Sequence, residues 1–244
     1  MKLTNNVANR KKLDGIARRH STLQGFDYWV TYFSALKLVN FCKGPSILEL
    51  GCADGLMTDM LSSKFTIVDC VDGSPVMVKR AKKNIKNDED NVRFYTSLFE
   101  DFTSDRKYKT IVISHVLEHV ERPLALLRKF KNFLEPDGRI IICVPNANSF
   151  HRKMGVELGI LKKITDLSKK DYEVGHRRVY SFHSLRGIIN RADLKIINEG
   201  GFFLKILSGP QMKIFNRNQL QALFNISNKF PEYCSEIFCI CKVN

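Results

Sequence analysis

Short runs of apolar and β-branched residues alternate with helical patterns through the middle of the chain. Ser46–Leu50, Thr66–Val71, Val92–Tyr95, Thr110–Ser114 and Arg139–Val144 are short apolar or β-branched runs of buried-strand type. Between them lie amphipathic stripes. Val78, Ala81 and Ile85 follow a Ser74 N-cap with Pro75 at the first helical position, and Leu127, Phe130 and Leu134 follow Pro123 and run into the turn Glu135–Gly138. Strand and helix in strict alternation predict a doubly wound, mostly parallel α/β sheet with right-handed crossovers. Leu194–Glu199 and Glu236–Val243 complete a seven-stranded Rossmann-like sheet, with helices expected over Ser181–Ala192 and about Gln211–Ile226.

Two segments interrupt the alternation. Residues 1–43 read as a helical cap whose aromatics Phe26, Tyr28, Trp29, Tyr32 and Phe33 are expected to be core rather than a substrate-stacking wall. Residues 146–180 are long, basic and weakly patterned, as in a lid insertion. One domain is therefore predicted, with the cap at 1–43, a ligand-binding core at 44–145, the lid at 146–180 and the rest of the sheet at 181–244.

Length agrees with a single domain, since 244 residues suffice for one large core but not for two ordinary ones. Charge narrows the partners: 39 Lys+Arg against 25 Asp+Glu gives +14, which favours nucleic acid, a phosphorylated small molecule or an acidic surface without choosing among them. The seven scattered cysteines have neither disulfide-framework nor zinc-site spacing. Met1–Lys12 has no apolar leader pattern, and no run is long enough to span a bilayer, so the cytoplasm is the expected compartment.

The first strand runs into Glu49-Leu-Gly51-Cys-Ala53-Asp-Gly55 and then a helical stretch. A glycine-rich turn at that junction brings a ligand against backbone N–H groups at a positive helix end. A dinucleotide fingerprint would require glycines where Ala53 and Leu56 stand. Glu49 would repel a pyrophosphate but attract an ammonium or sulfonium group. Asp72, at the end of the second strand, is placed to accept hydrogen bonds from both hydroxyls of a ribose.

These residues, together with Val71-Asp-Gly-Ser-Pro75 and the stretch SHVLEHVERPLALLRKFKNFLEPDGRIIICVPN at 114–146, resemble class I S-adenosylmethionine-dependent methyltransferases over roughly residues 45–205. The likeness extends to the subgroup with ubiquinone-biosynthesis and sugar O-methyltransferases. It implies that Glu49, Gly51, Ala53 and Gly55 surround the methionine part of S-adenosylmethionine, that Asp72 holds the ribose, that Leu98 and Phe99 lie beside the adenine, and that Ser114 and His115 line the sulfonium. Many members carry Asp where Leu98 stands, so adenine contacts here fall to backbone or to Glu100 and Asp101.

Methyl transfer to a hydroxyl needs positioning and a base. The resemblance places a substrate-contacting His at His119, which is expected to be the base, with His176 as the second choice. Asn146, Arg152, Arg177, Arg178 and Tyr180 are expected to bind the acceptor, the arginines through a phosphate or carboxylate. His115, Glu118 and His119 have the spacing of ligands on one helical face, and small-RNA 2′-O-methyltransferases look similar there, with His176 matching their last ligand. Their first Glu is His115 here, so no metal is predicted. The reading is an O-methyltransferase for an anionic sugar or nucleotide-linked glycan precursor. Its alternatives are an RNA methyltransferase and a non-catalytic partner that keeps the fold.

Overall fold

The computed structural model describes residues 13–18, 21, 23, 25–86 and 90–243, so the basic run at 1–12 lies outside the described residues. The strands are β1 (Ser46–Leu50), β2 (Ile67–Asp72), β3 (Val92–Thr96), β4 (Tyr108–Ser114), β5 (Leu134–Pro145), β6 (Leu194–Phe202) and β7 (Glu236–Val243). They form one seven-stranded sheet in the order β3-β2-β1-β4-β5-β7-β6. The first five are parallel, and β7 runs antiparallel to both β5 and β6. The expected doubly wound, mostly parallel sheet is thus present.

Its two faces explain the apolar runs of the central strands. Along β4, Ile111 and Ile113 enter one core with Phe130, Leu185 and Ile189, while Val112 enters the other with Phe33, Leu38 and Ile141. A strand with a core on both sides has no position left for solvent. Helices α1 (Gly25–Val39), α2 (Leu56–Ser62), α3 (Pro75–Asn84), α4 (Pro123–Phe130) and α7 (Phe182–Arg191) accompany these strands. Ser74 caps α3 by accepting from the Met77 N–H, and Pro75 follows it. Phe33 of α1 is fully buried and stacks on Phe224 at 4.7 Å; Phe26 shares that core, Trp29 and Tyr32 pack partly buried against it, and Tyr28 is half-buried beside them.

Three boundaries differ from expectation for local reasons. Leu134 pairs with Tyr108 and Arg139 with Thr110, so the turn at 135–138 is an excursion within β5 rather than the end of a helix. Tyr108 starts β4 early because its hydroxyl donates to the buried Asp69 carboxylate at 2.7 Å. The last helix starts at Arg217 (α8, Arg217–Ile226) because Asn216 and Gln219 form a reciprocal capping box, leaving Gln211–Ile214 as a separate 3-10 turn.

The insertion at 146–180 carries α5 (Phe150–Glu157) and α6 (Lys169–Val174). Strand order reverses between β1 and β4, which opens a crevice at their carboxyl ends. β6 and β7 meet β5 at that same edge, because Glu236 pairs with both Pro145 and Phe202.

Candidate active site

On the β1 side, the turn after Leu50 is held in left-handed backbone at Gly51 (φ 79°), Ala53 (φ 44°) and Gly55 (φ 88°). Gly55 is required twice over, since a Cβ there would also meet the Ala81 backbone at 2.8 Å. Ala53 has no such freedom and stores strain in the turn. Glu49 is buried behind it and accepts a 2.6 Å hydrogen bond from the Thr58 hydroxyl. Burial raises its carboxyl to about 7 despite that bond. Asp72 ties the two loops together: its carboxylate accepts from the Cys52 N–H at 3.2 Å and the Ser74 N–H at 2.7 Å. Burial also raises Asp72, which those bonds only partly offset.

Residues 13–18 are helical and lie over this half. Asp14 accepts from the Ser74 hydroxyl, and the Ala17 carbonyl accepts from Arg80. Leu98 is buried beside Gly73, on the Asp72 loop. Phe99 is different: its ring packs edge-to-face on Phe130, so it serves the core.

On the β4 side the chain leaves the sheet through Ser114 and turns sharply at His115 (φ 54°), whose N–H donates to the Cys143 carbonyl. The His115 ring sits between two buried carboxylates, Glu118 at 3.3 Å and Glu236 at 3.1 Å. Burial pulls its pKa down, but the charge of Glu236 and the hydrogen bonds around the ring outweigh it and raise the imidazole well above its usual value. Glu236 is fixed in turn by the Ser34 hydroxyl at 2.5 Å. Val116, the next residue after His115, faces Gly51, so the two halves of the crevice adjoin.

His119 and His176 meet edge-to-face at 4.8 Å. His119 is half-buried, and desolvation lowers its pKa despite the nearby Glu118, which favours the neutral ring at pH 7. His176 is oriented by Asp171, 2.8 Å from Nδ1, and Asp171 is anchored by Arg152 at 3.1 Å and by the Ser168 N–H at 2.7 Å. Burial opposes ionisation of Asp171, yet these contacts hold it far below the usual carboxylate range. Glu118, His119 and His176 bring ligand atoms within 4.8 Å of one another; both Glu118 oxygens are buried, Oε1 paired with His115 at 3.3 Å and Oε2 without a partner among the described residues. A carboxylate and two imidazoles, with His176 oriented from behind, are a donor set that fits a divalent transition ion.

Four of the expected acceptor-binding residues are committed elsewhere. Arg152 is buried in the insertion, where it donates to the carbonyls of Ile164 and Asp166 and pairs with Asp171. Arg178 donates to the carbonyls of Leu117, Val120 and Glu121 and so braces the His119 loop. Tyr180 is core, its hydroxyl on the Leu117 carbonyl. Asn146 spends both amide hydrogens on the carbonyls of Glu232 and Cys234 and its oxygen on the Asn148 N–H. Arg177 alone remains exposed. The sequence reading missed Asp171 and Glu236. Asp171 was visible only as the end of a Ser168-x-x-Asp171 capping box, and Glu236 only as a single acid opening an apolar strand.

A doubly wound sheet with a glycine turn, an acid closing β2 and a polar cluster at the end of β4 defines a nucleotide-type ligand site at the topological switch point. Residues 26–199 match the family described as a methyltransferase domain, and the chain belongs to that family. A ubiquinone biosynthesis O-methyltransferase of Coxiella burnetii is 27% identical over 107 residues, 43% of this chain and 46% of that protein. The mitochondrial one of Schizosaccharomyces pombe is 25% identical over 122 residues, 49% and 44% respectively. The chain thus matches about half the length of these curated relatives. Among solved structures, the magnesium protoporphyrin IX methyltransferase of Synechocystis PCC 6803 with bound SAH shares the fold over 100% of both chains, with TM-score 0.64 and 13% identity. The N-methyltransferase NodS of Bradyrhizobium japonicum WM9 with S-adenosyl-l-homocysteine covers 89% of this chain and 87% of its own, with TM-score 0.57 and 14% identity. Among the described residues no helix is long and apolar enough to cross a membrane.

Proposed function

We propose that this chain is an S-adenosylmethionine-dependent O-methyltransferase for a small or medium-sized anionic acceptor, such as a sugar or nucleotide-linked glycan precursor. Family membership supports the methyl chemistry, the O-methyltransferase relatives support a hydroxyl, and the charge of +14 supports an anion. All seven cysteines are free thiols, in keeping with a reducing compartment such as the cytoplasm. The observation that carries the reading is the neutral His119 beside an Asp171-held His176, immediately past the strand end that adjoins the glycine turn.

Glu49 and the turn at 51–55 hold the charged methionine end of the donor, and Asp72 accepts the ribose hydroxyls. The acceptor hydroxyl lies at the two imidazoles, one of which takes its proton as the carbon–oxygen bond forms. Asp171 keeps His176 in one tautomer and stabilises its protonated form, as a carboxylate does behind a catalytic imidazole. His115, held charged between Glu118 and Glu236, shapes the loop rather than taking a proton.

The unpartnered Glu118 Oε2 favours a second version of the same reaction. There Glu118, His119 and His176 would hold a divalent cation, which when bound lowers the pKa of a coordinated hydroxyl. Methyl-labelled S-adenosylmethionine incubated with cell extract tests the class. A base-stable methyl ether supports it, an N-methyl product or labelled RNA overturns it, and loss of activity on chelation selects the metal version.

A further inference from the structure

With Arg152 and Arg178 committed to the protein's own backbone and to Asp171, the acceptor edge needs another cation if it is to receive an anion. Lys205 stands there. It lies three residues beyond the end of β6, at the edge where Phe202 pairs with Glu236 and Glu236 with Pro145. Its ammonium has neither an ion pair nor a hydrogen bond among the described residues and rests over the Phe26 ring at 5.6 Å. Its neighbour Lys170, by contrast, is already matched by Asp27 at 2.9 Å.

The groups around it are also unsatisfied. The Lys205 carbonyl accepts the His151 N–H at 3.2 Å, which docks the start of α5 on this segment. His151 Nδ1 and the neighbouring Ser149 Oγ are buried with no hydrogen-bond partner. Burial and the charges of Lys205 and Arg152 keep His151 neutral. The charges acting on Lys205 are Lys170, Asp27, Glu236 and Asp171, so it shares surroundings with the carboxylates behind His115 and His176.

Lys205 is half-buried, and a cation partly withdrawn from water without a counterion within ion-pair distance is unfavourable, since a ring face replaces only part of the lost hydration. We infer that Lys205, with His151 beside it, is the seat for the anionic oxygen group of the acceptor, a phosphate or carboxylate carried by the molecule whose hydroxyl is methylated. Burial, followed by repulsion from Lys170, lowers Lys205 to about 8, as expected of an ammonium waiting for its counterion. The substrate role rests on the O-methyltransferase reading, but the seat is testable without turnover.

Inorganic phosphate is titrated into the full chain carrying 13C-labelled lysine and S-adenosylhomocysteine, with the Lys205 signal assigned by Lys205→Met. Saturable movement of that signal is expected, with its titration midpoint rising by about one pH unit on binding, while exposed Lys162 stays still. An unmoved Lys205, or Lys162 moving equally, overturns the seat. If Lys205→Met does not fold, Lys205→Arg removes the same signal and is expected to keep phosphate affinity. Methylation of a neutral compound at a rate unchanged in these variants overturns the seat and leaves the O-methyltransferase reading intact. Phosphate held at Lys205 with no hydroxyl methylated in extract does the reverse.

Discussion

Glu49 offers a quantitative test of how the donor pocket is built. Its carboxyl stands at about 7 in the folded protein against 4.5 for the free side chain, because burial outweighs the Thr58 hydrogen bond. A folded pKa above the unfolded one means that the native state takes up a proton between those values. Stability is therefore lost as pH rises from 4.5 through about 7, and the penalty of the buried charge is about 3 kcal/mol at pH 8 but only about 1 kcal/mol at pH 5. Glu49→Gln removes the charge and still offers Thr58 an acceptor, so the ligand-free variant should be more stable than the wild type, by up to about 3 kcal/mol at pH 8 and much less at pH 5. Urea denaturation at the two pH values measures this directly. The same substitution should weaken S-adenosylmethionine, since the negative charge facing its ammonium or sulfonium is gone. Calorimetry near pH 7, in two buffers of different ionisation enthalpy, should show proton release on binding to the wild type and none in the variant. A stability change that does not depend on pH, or a variant less stable at pH 8 than at pH 5 relative to wild type, would refute the reasoning.

Asp72→Ala should weaken the donor by about 1.5–3 kcal/mol through the lost ribose contacts, and should also loosen the turn that its carboxylate ties to Ser74. Unchanged affinity by calorimetry removes the ribose role. Arg152→Met leaves the Asp171 carboxylate in place while deleting its buried partner, so a stability loss of about 3–5 kcal/mol is expected. Turnover should fall with it because His176 loses its anchor, whereas a thermally unchanged variant contradicts the pairing. His119→Ala and His176→Ala should each retain donor binding and lose on the order of 10²–10⁴ in turnover. A variant that only raises the acceptor KM marks its histidine as a positioning residue. Phe33→Ala should cost about 3–5 kcal/mol from the stacked core beneath α1 without altering the crevice, as read by urea denaturation and donor titration.

What could be read in advance follows from how local each signal is. The central strands were legible because cores on both faces leave mostly apolar runs, and the glycine turn because left-handed backbone and the close approach of Ala81 demand small residues within five positions. The acceptor half was not, because its contacts span long separations. Asp171 meets Arg152 from 19 residues away, and Ser34 reaches Glu236 across 202. A basic run carries no sign of which arginine will find carbonyls in its own chain, which is why Arg152 and Arg178 read as anion binders and fold as braces. Lys205 escaped notice for the opposite reason: a single lysine in an apolar stretch becomes unusual only once the sheet edge places it without a partner.

The central claim is that the crevice transfers a methyl group from S-adenosylmethionine to an acceptor hydroxyl with His119 and His176 at the reacting oxygen. The most direct measurement follows labelled methyl from the donor into cell-extract compounds by mass spectrometry, comparing the wild-type chain with the His119→Ala/His176→Ala double variant. An anionic product carrying one added methyl ether is expected, formed by the wild type and lost in a double variant that still binds the donor. An equal yield of that product from the double variant, or a label found only on nitrogen, would contradict it.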